Sequence, residues 1–352
     1  MPPNCNDTKH LERWNSYYQS KQYAQDLEDE YDNSKNYHEL SNKIIWPKLL
    51  LMIVFNVVSI YTAITFPYSE QIFLLLWAYV IAYLSILGVT AGAHRLWAHR
   101  TYEADTSLRI FLAICYYLSG FQKIFTWVRN HRAHHQYLQC EGDPYNNRRG
   151  FWFSHVGWLV MKENPETQKL KAKVDMRDVG DDTVIQFFDG NFYLNTILFS
   201  IILPIFIPVY FFNQDLEWAI VSQLFIRYPF VLHSIWSINS LASTIGTYSY
   251  NRNILPADNK LVSFLTLGEG WQNFHHVFPS DYRSTDINGH FNPTASWINL
   301  FAFVGLAHNL YTVPHDQVRK EVEYLGNGSH PTIKTLHYNR KSQSFFKVTS
   351  SK

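Results

Sequence analysis

The sequence predicts an all-α integral membrane protein with four transmembrane helices in two hairpins and a cytosolic helical cap. Long apolar blocks predict the spans, because about twenty helical residues cover the ~30 Å of bilayer hydrocarbon. Short polar loops between consecutive blocks predict the hairpins. The chain has 352 residues, 47% hydrophobic and 17% charged, a composition that argues against disorder. Its formal net charge of +1 gives no reason to expect a nucleic acid partner.

The first hairpin is predicted over residues 44–91, after a polar cytosolic tail over residues 1–43. Its apolar blocks cover residues 44–66 and 71–91, and only the sequence Pro-Tyr-Ser-Glu separates them. The tail lacks the charged-then-apolar pattern of a secretory signal peptide. We therefore expect the first block to stay in the protein as a membrane anchor.

The second hairpin is predicted over residues 192–242, from apolar blocks at 192–213 and 218–242. Neither hairpin loop contains Lys or Arg, whereas the tail and the segment 92–191 contain many. The positive-inside rule therefore places both termini and that segment in the cytosol. Residues 243–352 complete the cytosolic cap. The alternative is that the apolar blocks are buried helices of a soluble protein.

Two further features of the sequence, one between the predicted spans and one within a span, lead to separate expectations. Residues 107–121 are apolar but too short to cross a bilayer, so we expect an amphipathic helix lying at the interface. Arg227 falls inside the fourth block and should face the bundle interior or a polar cavity. Such an arginine indicates either a functional role or a structural hydrogen bond to neighbouring carbonyls.

Histidines are frequent, and the predicted topology brings three groups of them to the cytosolic membrane face. The chain contains 16 histidines. Neutral imidazole is a good ligand for transition metals, so three groups converging at one depth predict a metal site. The remaining histidines are better interpreted as ordinary surface or core residues. The three groups are His94 and His99; His131, His134 and His135; and His275 and His276.

Helical spacing supports this convergence. The second group stands at i, i+3 and i+4 and shares one helix face, and Gln272, His275 and His276 repeat that spacing. His94 and His99 are five residues apart, so both reach one metal only if their helix bends or ends there. Seven histidines suggest two metals. Few nearby acids argue against the Glu-rich soluble di-iron pattern, and a redox centre fits better than a hydrolytic zinc site.

These motifs resemble those of the membrane acyl-CoA desaturases, of the stearoyl-CoA Δ9 type and especially insect ones. The resemblance covers roughly residues 44–315. It is carried by GAHRLWAHR (92–100), WVRNHRAHHQY (127–137), DPYNNRRGFWFSHVGWL (143–159), INS (238–240) and GEGWQNFHHVFPSDYR (268–283).

The resemblance implies a multi-pass enzyme of the endoplasmic reticulum with a histidine-rich di-metal site in its cytosolic cap. Two iron ions would be the cofactors, O2 the co-substrate and a long-chain acyl-CoA the substrate. Electrons would come from cytochrome b5 and its NADH-dependent reductase, and no catalytic residue beyond the metal ligands is expected. The resemblance assigns one iron to His94, His99, His131, His135 and His276, and the second to His134 and His275, with Asn239 reaching it through water.

Two positions depart from the family pattern at the second iron. Ser243 stands where a histidine is expected, and Gln272 begins the third histidine box as a possible weak ligand. A serine hydroxyl is a poor ligand, so we expect the second iron to bind weakly or not at all. An active desaturase is the leading interpretation. The alternatives are a catalytically impaired desaturase-like pseudoenzyme that binds acyl-CoA or a partner desaturase, and a related membrane hydroxylase.

Substrate contacts are also suggested by the resemblance. Arg129 and Lys162 match basic positions that contact CoA, and Trp152 is a candidate for the wall of an acyl tunnel. Alternatively, the two cations anchor the protein to lipid headgroups. Glu163 and Asp189 replace basic residues of the family, and their charges are expected to weaken the attraction for CoA phosphates.

Overall fold

The all-α prediction is confirmed by the computed structural model, which describes residues 43–140 and 142–332. These residues are mostly helical. Two short strands, β1 (Glu103–Ala104) and β2 (Ala307–His308), pair in antiparallel register. The predicted polar tail lies outside the described residues except for Lys43.

Helices α1 (Trp46–Thr65) and α2 (Ile72–Ala98) fall on the two apolar blocks of the first predicted hairpin. Helix α1 has a proline in its first turn, where no backbone N–H is needed. Helix α2 is α-helical to Leu87 and π-helical over Gly88–Ala98. It therefore continues past the boundary predicted at residue 91 and carries the first histidine.

Helix α3 (Thr106–Leu118) packs directly against helix α2. At Gly88 the two backbones are so close that a Cβ atom would lie 2.1 Å from the backbone nitrogen of Tyr116. Leu112 is fully buried in the same contact region. The helix expected over residues 107–121 is therefore present, but much of its apolar face packs inside the protein.

Two further helices that matter for the site lie between the hairpins. They are α4 (Ile124–Gln136) and α5 (Thr183–Gly190). Shorter helical pieces connect them: Asn147–Arg149, Phe153–Gly157, Trp158–Val160, Pro165–Lys171 and Arg177–Gly180.

The second predicted hairpin corresponds to helices α6 (Phe192–Phe212) and α7 (216–240). Asn213 ends helix α6 in a left-handed conformation, with φ of 51°. Helix α7 runs without a break through the consecutive stretches Leu216–Val221, Ser222–Arg227 and Tyr228–Ser240.

Among the described residues, three helices are long and apolar enough to cross a membrane: α1, α2 and α6. The fourth predicted span falls on α7. That helix is long, but Gln223, Arg227 and His233 make it more polar than the other three. The count of four spans therefore stays a prediction.

Arg227 is buried inside the helical bundle and makes structural hydrogen bonds. Its Nη1 donates to the carbonyl of Leu118 at 2.6 Å, and its Nη2 donates to the carbonyl of Ser200 at 2.6 Å. The arginine thereby connects helices α3, α6 and α7. Of the two roles suggested by the sequence, the structure supports hydrogen bonding to neighbouring carbonyls.

The chain beyond α7 folds back onto helix α2. Its helices are Leu241–Ser243, Lys260–Leu265, α8 (Gln272–Val277), α9 (Pro293–Phe303) and His315–Tyr324. Helix α9 is tied to α2 because the Trp297 indole donates to the Tyr83 hydroxyl at 2.7 Å. This packing places α8 beside the π-helical end of α2 and beside α4, where the histidines meet.

Candidate metal centre

The π-helical end of α2 explains how His94 and His99 reach the same place. The backbone nitrogen of His99 donates to the carbonyl of His94 at 3.1 Å, an i to i+5 bond. A π turn is wider than an α turn, so five residues return the chain to nearly the same face. The ring centroids are 4.9 Å apart. The helix also ends at Ala98, directly before His99. The five-residue spacing of the two histidines predicted that their helix would bend or end there.

Five imidazoles form one compact group, called here the five-imidazole cluster. One ring nitrogen from each lies within 4.8 Å of all the others. Nε2 of His275 is 3.0 Å from Nε2 of His94 and 3.1 Å from Nε2 of His135. The members are His94, His99, His131, His135 and His275.

Burial favours the neutral form of five of the clustered imidazoles. Removal from water, and then repulsion from neighbouring imidazoles, lowers the pKa well below the usual range for His99, His131, His135, His275 and His276. Neutral nitrogens converging on one point form a donor set that fits a single transition metal ion. These five rings can therefore bind a metal without first losing protons near pH 7.

His134 and His276 form a second group, called here the His134–His276 pair. Their ring centroids are 5.0 Å apart. The resemblance places His276 in the larger set and His275 in the smaller one, whereas in the structure His275 is the ring that lies with the other four. The reason is helical geometry: adjacent residues on α8 differ by about 100° in direction, and His275 is the one that faces His94. Which iron each of the two histidines holds stays a prediction.

Two carboxylates support the histidines, and sequence reasoning missed both. Oε2 of Glu269 lies 2.9 Å from Nδ1 of His94, and Oδ1 of Asp143 lies 2.8 Å from Nδ1 of His134. A carboxylate on Nδ1 directs Nε2 towards a metal and fixes the ring. Glu269 also accepts from Nε of Arg95 at 2.8 Å. Both acids stand in the quoted motifs, but nothing in their spacing indicates which histidine they contact.

The other positions that the resemblance connects with the second metal lie on three elements. Asn239 lies in the last turn of α7, and Ser243 ends the short helix that follows it. Gln272 stands one turn before His276 on α8, on the same helix side. Its amide nitrogen donates to the carbonyl of Glu269 at 2.6 Å, which leaves its oxygen as the possible ligand atom.

His233 does not replace the histidine missing at residue 243. Its Nε2 lies 2.8 Å from Oδ1 of Asn56, and its Nδ1 lies 3.0 Å from Nε2 of His155. Both nitrogens are therefore engaged elsewhere. The His134–His276 pair keeps only two imidazoles among the described residues.

Three side chains in the motifs at 127–137 and 143–159 have buried polar atoms without a hydrogen-bond partner in the described part of the chain. They are Nε of Arg129, Nε1 of Trp158 and the side-chain amide of Asn147. Buried polar groups are normally hydrogen-bonded, so these atoms indicate a place for a polar ligand. Lys162 follows nearby in sequence, and Trp152 is 74% exposed.

The two acids expected to oppose CoA have other partners. Glu163 forms an ion pair with Lys171, with 2.6 Å between Oε1 and Nζ. Asp189 is buried and accepts hydrogen bonds from the backbone nitrogens of Ile124 and Phe125. Repulsion between Asp189 and CoA phosphates is therefore not supported, because its charge is already satisfied inside the protein.

Comparison with known proteins gives one family and several similar proteins. The sequence model of the family described as "Fatty acid desaturase" matches residues 71–285, which include all seven histidines. The chain is 38% identical over 285 residues to a stearoyl-CoA desaturase from Mesocricetus auratus, covering 81% of this chain and 80% of that protein.

Two proteins from Acheta domesticus are also similar. One is an acyl-CoA Delta-9 desaturase, 37% identical over 289 residues, with coverage of 82% and 80%. The other is an acyl-CoA Delta12-desaturase, 36% identical over 289 residues, with coverage of 82% and 81%.

Proposed function

This chain belongs to the fatty acid desaturase family, and we propose that it is an O2-dependent fatty acyl-CoA desaturase of the Δ9 type. It would introduce a double bond into a CoA-linked long acyl chain during unsaturated fatty acid biosynthesis. Similar identities to relatives named Delta-9 and Delta12 mean that the position of the double bond has to be measured. Δ9 is favoured by the stearoyl-CoA desaturases among the relatives.

The observation that carries this proposal is the five-imidazole cluster. When bound there, iron would supply the activation of O2 needed to remove hydrogen from an unactivated methylene group. The protein contributes neutral donors from three distant parts of the chain and fixes His94 through Glu269. Burial of the rings excludes water from the site, which protects such a reaction from side reactions.

We further propose unequal metal binding, with one iron held tightly by the five-imidazole cluster and a second held weakly by the His134–His276 pair. The pair would be completed by Asn239 through water and by the oxygen of Gln272. Ser243 offers no imidazole, so the second position has fewer strong donors.

For the substrate, the proposal assigns the CoA phosphates to Arg129 and Lys162. The buried, unpartnered Nε of Arg129 supports this assignment, because a guanidinium binds phosphate well through paired donors. Trp152 is proposed to contact the acyl-CoA at the entrance of the expected acyl tunnel, because its ring is exposed.

The cellular setting completes the proposal. The protein would lie in the endoplasmic reticulum membrane with both termini cytosolic, and would receive electrons from cytochrome b5 and its NADH-dependent reductase. The resemblance to acyl-CoA desaturases supports the location and the electron donor, and the distribution of Lys and Arg around the predicted hairpins supports the orientation. Apolar helices α1, α2 and α6 support the membrane setting.

A pseudoenzyme that binds acyl-CoA or a partner desaturase is the second candidate. Ser243 and the two-imidazole content of the His134–His276 pair favour it. Both candidates share the acyl-CoA site, so substrate binding alone does not separate them.

Expression in a desaturase-deficient host, with gas chromatography of the cellular lipids, tests the proposal. An active enzyme yields unsaturated acids, and mass spectrometry of derivatised products then gives the double-bond position. The variant His131→Ala, expressed at the same level, should yield none. Absence of unsaturated products from the unaltered chain, with any chain length supplied, would favour the pseudoenzyme, and hydroxylated acids would favour a hydroxylase.

A further inference from the structure

Helix α4 carries three of the seven clustered histidines, and its first turn is capped from another part of the chain. The first backbone N–H groups of a helix have no partner within the helix. The N-cap residue, Lys123, supplies no side-chain acceptor. Instead, Oδ1 of Asp189 accepts from the nitrogen of Ile124 at 2.9 Å, and Oδ2 accepts from the nitrogen of Phe125 at 2.8 Å.

Asp189 is itself held firmly in place. It lies in the last turn of helix α5 and is buried. The hydroxyl of Tyr117, on helix α3, donates to Oδ1 at 2.7 Å. Three donors satisfy the buried carboxylate, and the positive end of the α4 dipole stabilises its charge. One side chain therefore connects helices α3, α4 and α5.

We propose that Asp189 is a positioning residue for the candidate metal centre. By accepting from two successive N–H groups, its carboxylate fixes both the rotation and the axial position of helix α4. His131 lies seven residues beyond Ile124, about two turns or roughly 10 Å along the axis. A rotation at the first turn is therefore transmitted to the direction of the His131 and His135 rings.

Arg132 limits the size of the expected effect. Its guanidinium donates to Oδ2 of Asp178 at 2.6 Å and to the carbonyl of Trp97 at 2.7 Å. This second attachment holds the middle of helix α4 when the first turn is released. Removal of the Asp189 carboxylate should thus weaken metal binding without abolishing it.

Cobalt binding to the full-length protein in detergent tests the inference. Co²⁺ is added to the metal-free protein, and its absorption bands report imidazole ligation. We expect Asp189→Ala to weaken the tightest Co²⁺ binding step about tenfold, a loss at the lower end of that seen when partners of metal ligands are removed. Asp189→Asn, which keeps one acceptor oxygen, should give an intermediate loss.

Tyr117→Phe is the matched control. It removes a buried hydrogen bond from the same carboxylate but leaves both contacts to the α4 backbone. We expect its Co²⁺ affinity to stay within about twofold of the unaltered protein, even if its melting temperature falls. If Asp189→Ala does not fold, Asp189→Asn is compared with Tyr117→Phe in the same way.

Two results would overturn the inference: unaltered Co²⁺ affinity in the Asp189 variant that folds, or an equal loss in Tyr117→Phe. The inference rests on the proposed metal function, and the two fail differently. If the unaltered protein itself does not bind Co²⁺, the proposed function is wrong. If it binds Co²⁺ and the Asp189 variant binds equally well, only the role of Asp189 is wrong.

Discussion

The five-imidazole cluster and the His134–His276 pair lie side by side on the same two helices, yet they differ in the number of imidazoles they offer a metal. Helices α4 and α8 contribute histidines to both. Each group also has one carboxylate on an Nδ1 nitrogen, Glu269 in the cluster and Asp143 in the pair. The difference is thus in the number of imidazoles, five against two. We therefore propose that ligand identity at residues 243 and 272 decides how well the second position binds metal.

Removal of one cluster histidine is the strongest test of this comparison. Nε2 of His99 lies 2.8 Å from Nε2 of His131, so His99→Ala opens the centre of the cluster. We expect a loss of desaturation of about 100-fold or more, because the metal that activates O2 is no longer held in place. Product formation in the host and iron content of the purified protein measure it.

His308→Ala provides the control for His99→Ala. His308 is in strand β2, outside the clusters, and its side chain is 48% exposed. Activity and iron content should stay unchanged in this variant. Equal iron content in His99→Ala and the unaltered protein would mean that the five-imidazole cluster is not the tight site.

Glu269→Gln should have the next largest effect. The substitution keeps the shape of the side chain but removes the charge beside Nδ1 of His94. Loss of such a support typically costs 10–100-fold in metal affinity, and the buried guanidinium of Arg95 loses its ionic partner. Iron release to a chelator measures the change.

Asp143→Asn is the corresponding change beside the His134–His276 pair. It should accelerate loss of the weakly held iron and leave the tightly held iron in place. Accelerated loss of the tight iron in Asp143→Asn would contradict the division into two unequal groups.

These acids show where sequence reasoning succeeded and where it could not. The i, i+3, i+4 spacing on α4 and the apolar blocks are local signals, so the helices and the convergence of the histidines were predictable. Contacts such as Glu269 with His94 join residues far apart in the chain and depend on how α8 packs against α2. The position of His275 in the five-imidazole cluster has the same origin.

Asp189 shows a second kind of limit. Aligned with the family's basic residues, it indicated weaker attraction for CoA. Only the packing of helix α5 against the first turn of α4 shows that its carboxylate caps a helix. A charged residue that the sequence suggests is available to a ligand can have all its hydrogen-bond partners inside the protein.

Restoring the missing imidazoles should make the two groups more alike. We expect the double variant Ser243→His with Gln272→His to raise tightly bound iron from about one to about two per chain, because imidazole is a far better ligand than hydroxyl or amide oxygen. Iron analysis after dialysis against a weak chelator measures it. Two tightly bound irons in the unaltered chain would defeat the proposed inequality.

The smallest effect is expected for a change at Asp258, which caps helix α8 in the way that Asp189 caps helix α4. Oδ1 of Asp258 accepts from the nitrogens of Asn273 at 3.0 Å and Phe274 at 3.3 Å. Burial raises the pKa of Asp258 to about 7, despite these two hydrogen bonds. The folded pKa lies above the ordinary value, so the protonated carboxyl favours folding. Its contribution to the free energy of unfolding is complete below about pH 4 and is lost as the pH rises through about 7.

Asp258→Asn removes this titration while keeping an acceptor oxygen for both N–H groups. We expect the melting temperature of the metal-free variant to rise relative to that of the unaltered protein between pH 4 and pH 7, because only the unaltered protein loses the contribution of Asp258. Because the histidines titrate in both proteins, the difference between the two melting curves isolates Asp258. Parallel pH dependence in the two proteins would show that the protonation of Asp258 does not contribute to the stability of the protein. Asp258 would then be a helix cap whose effect does not depend on pH.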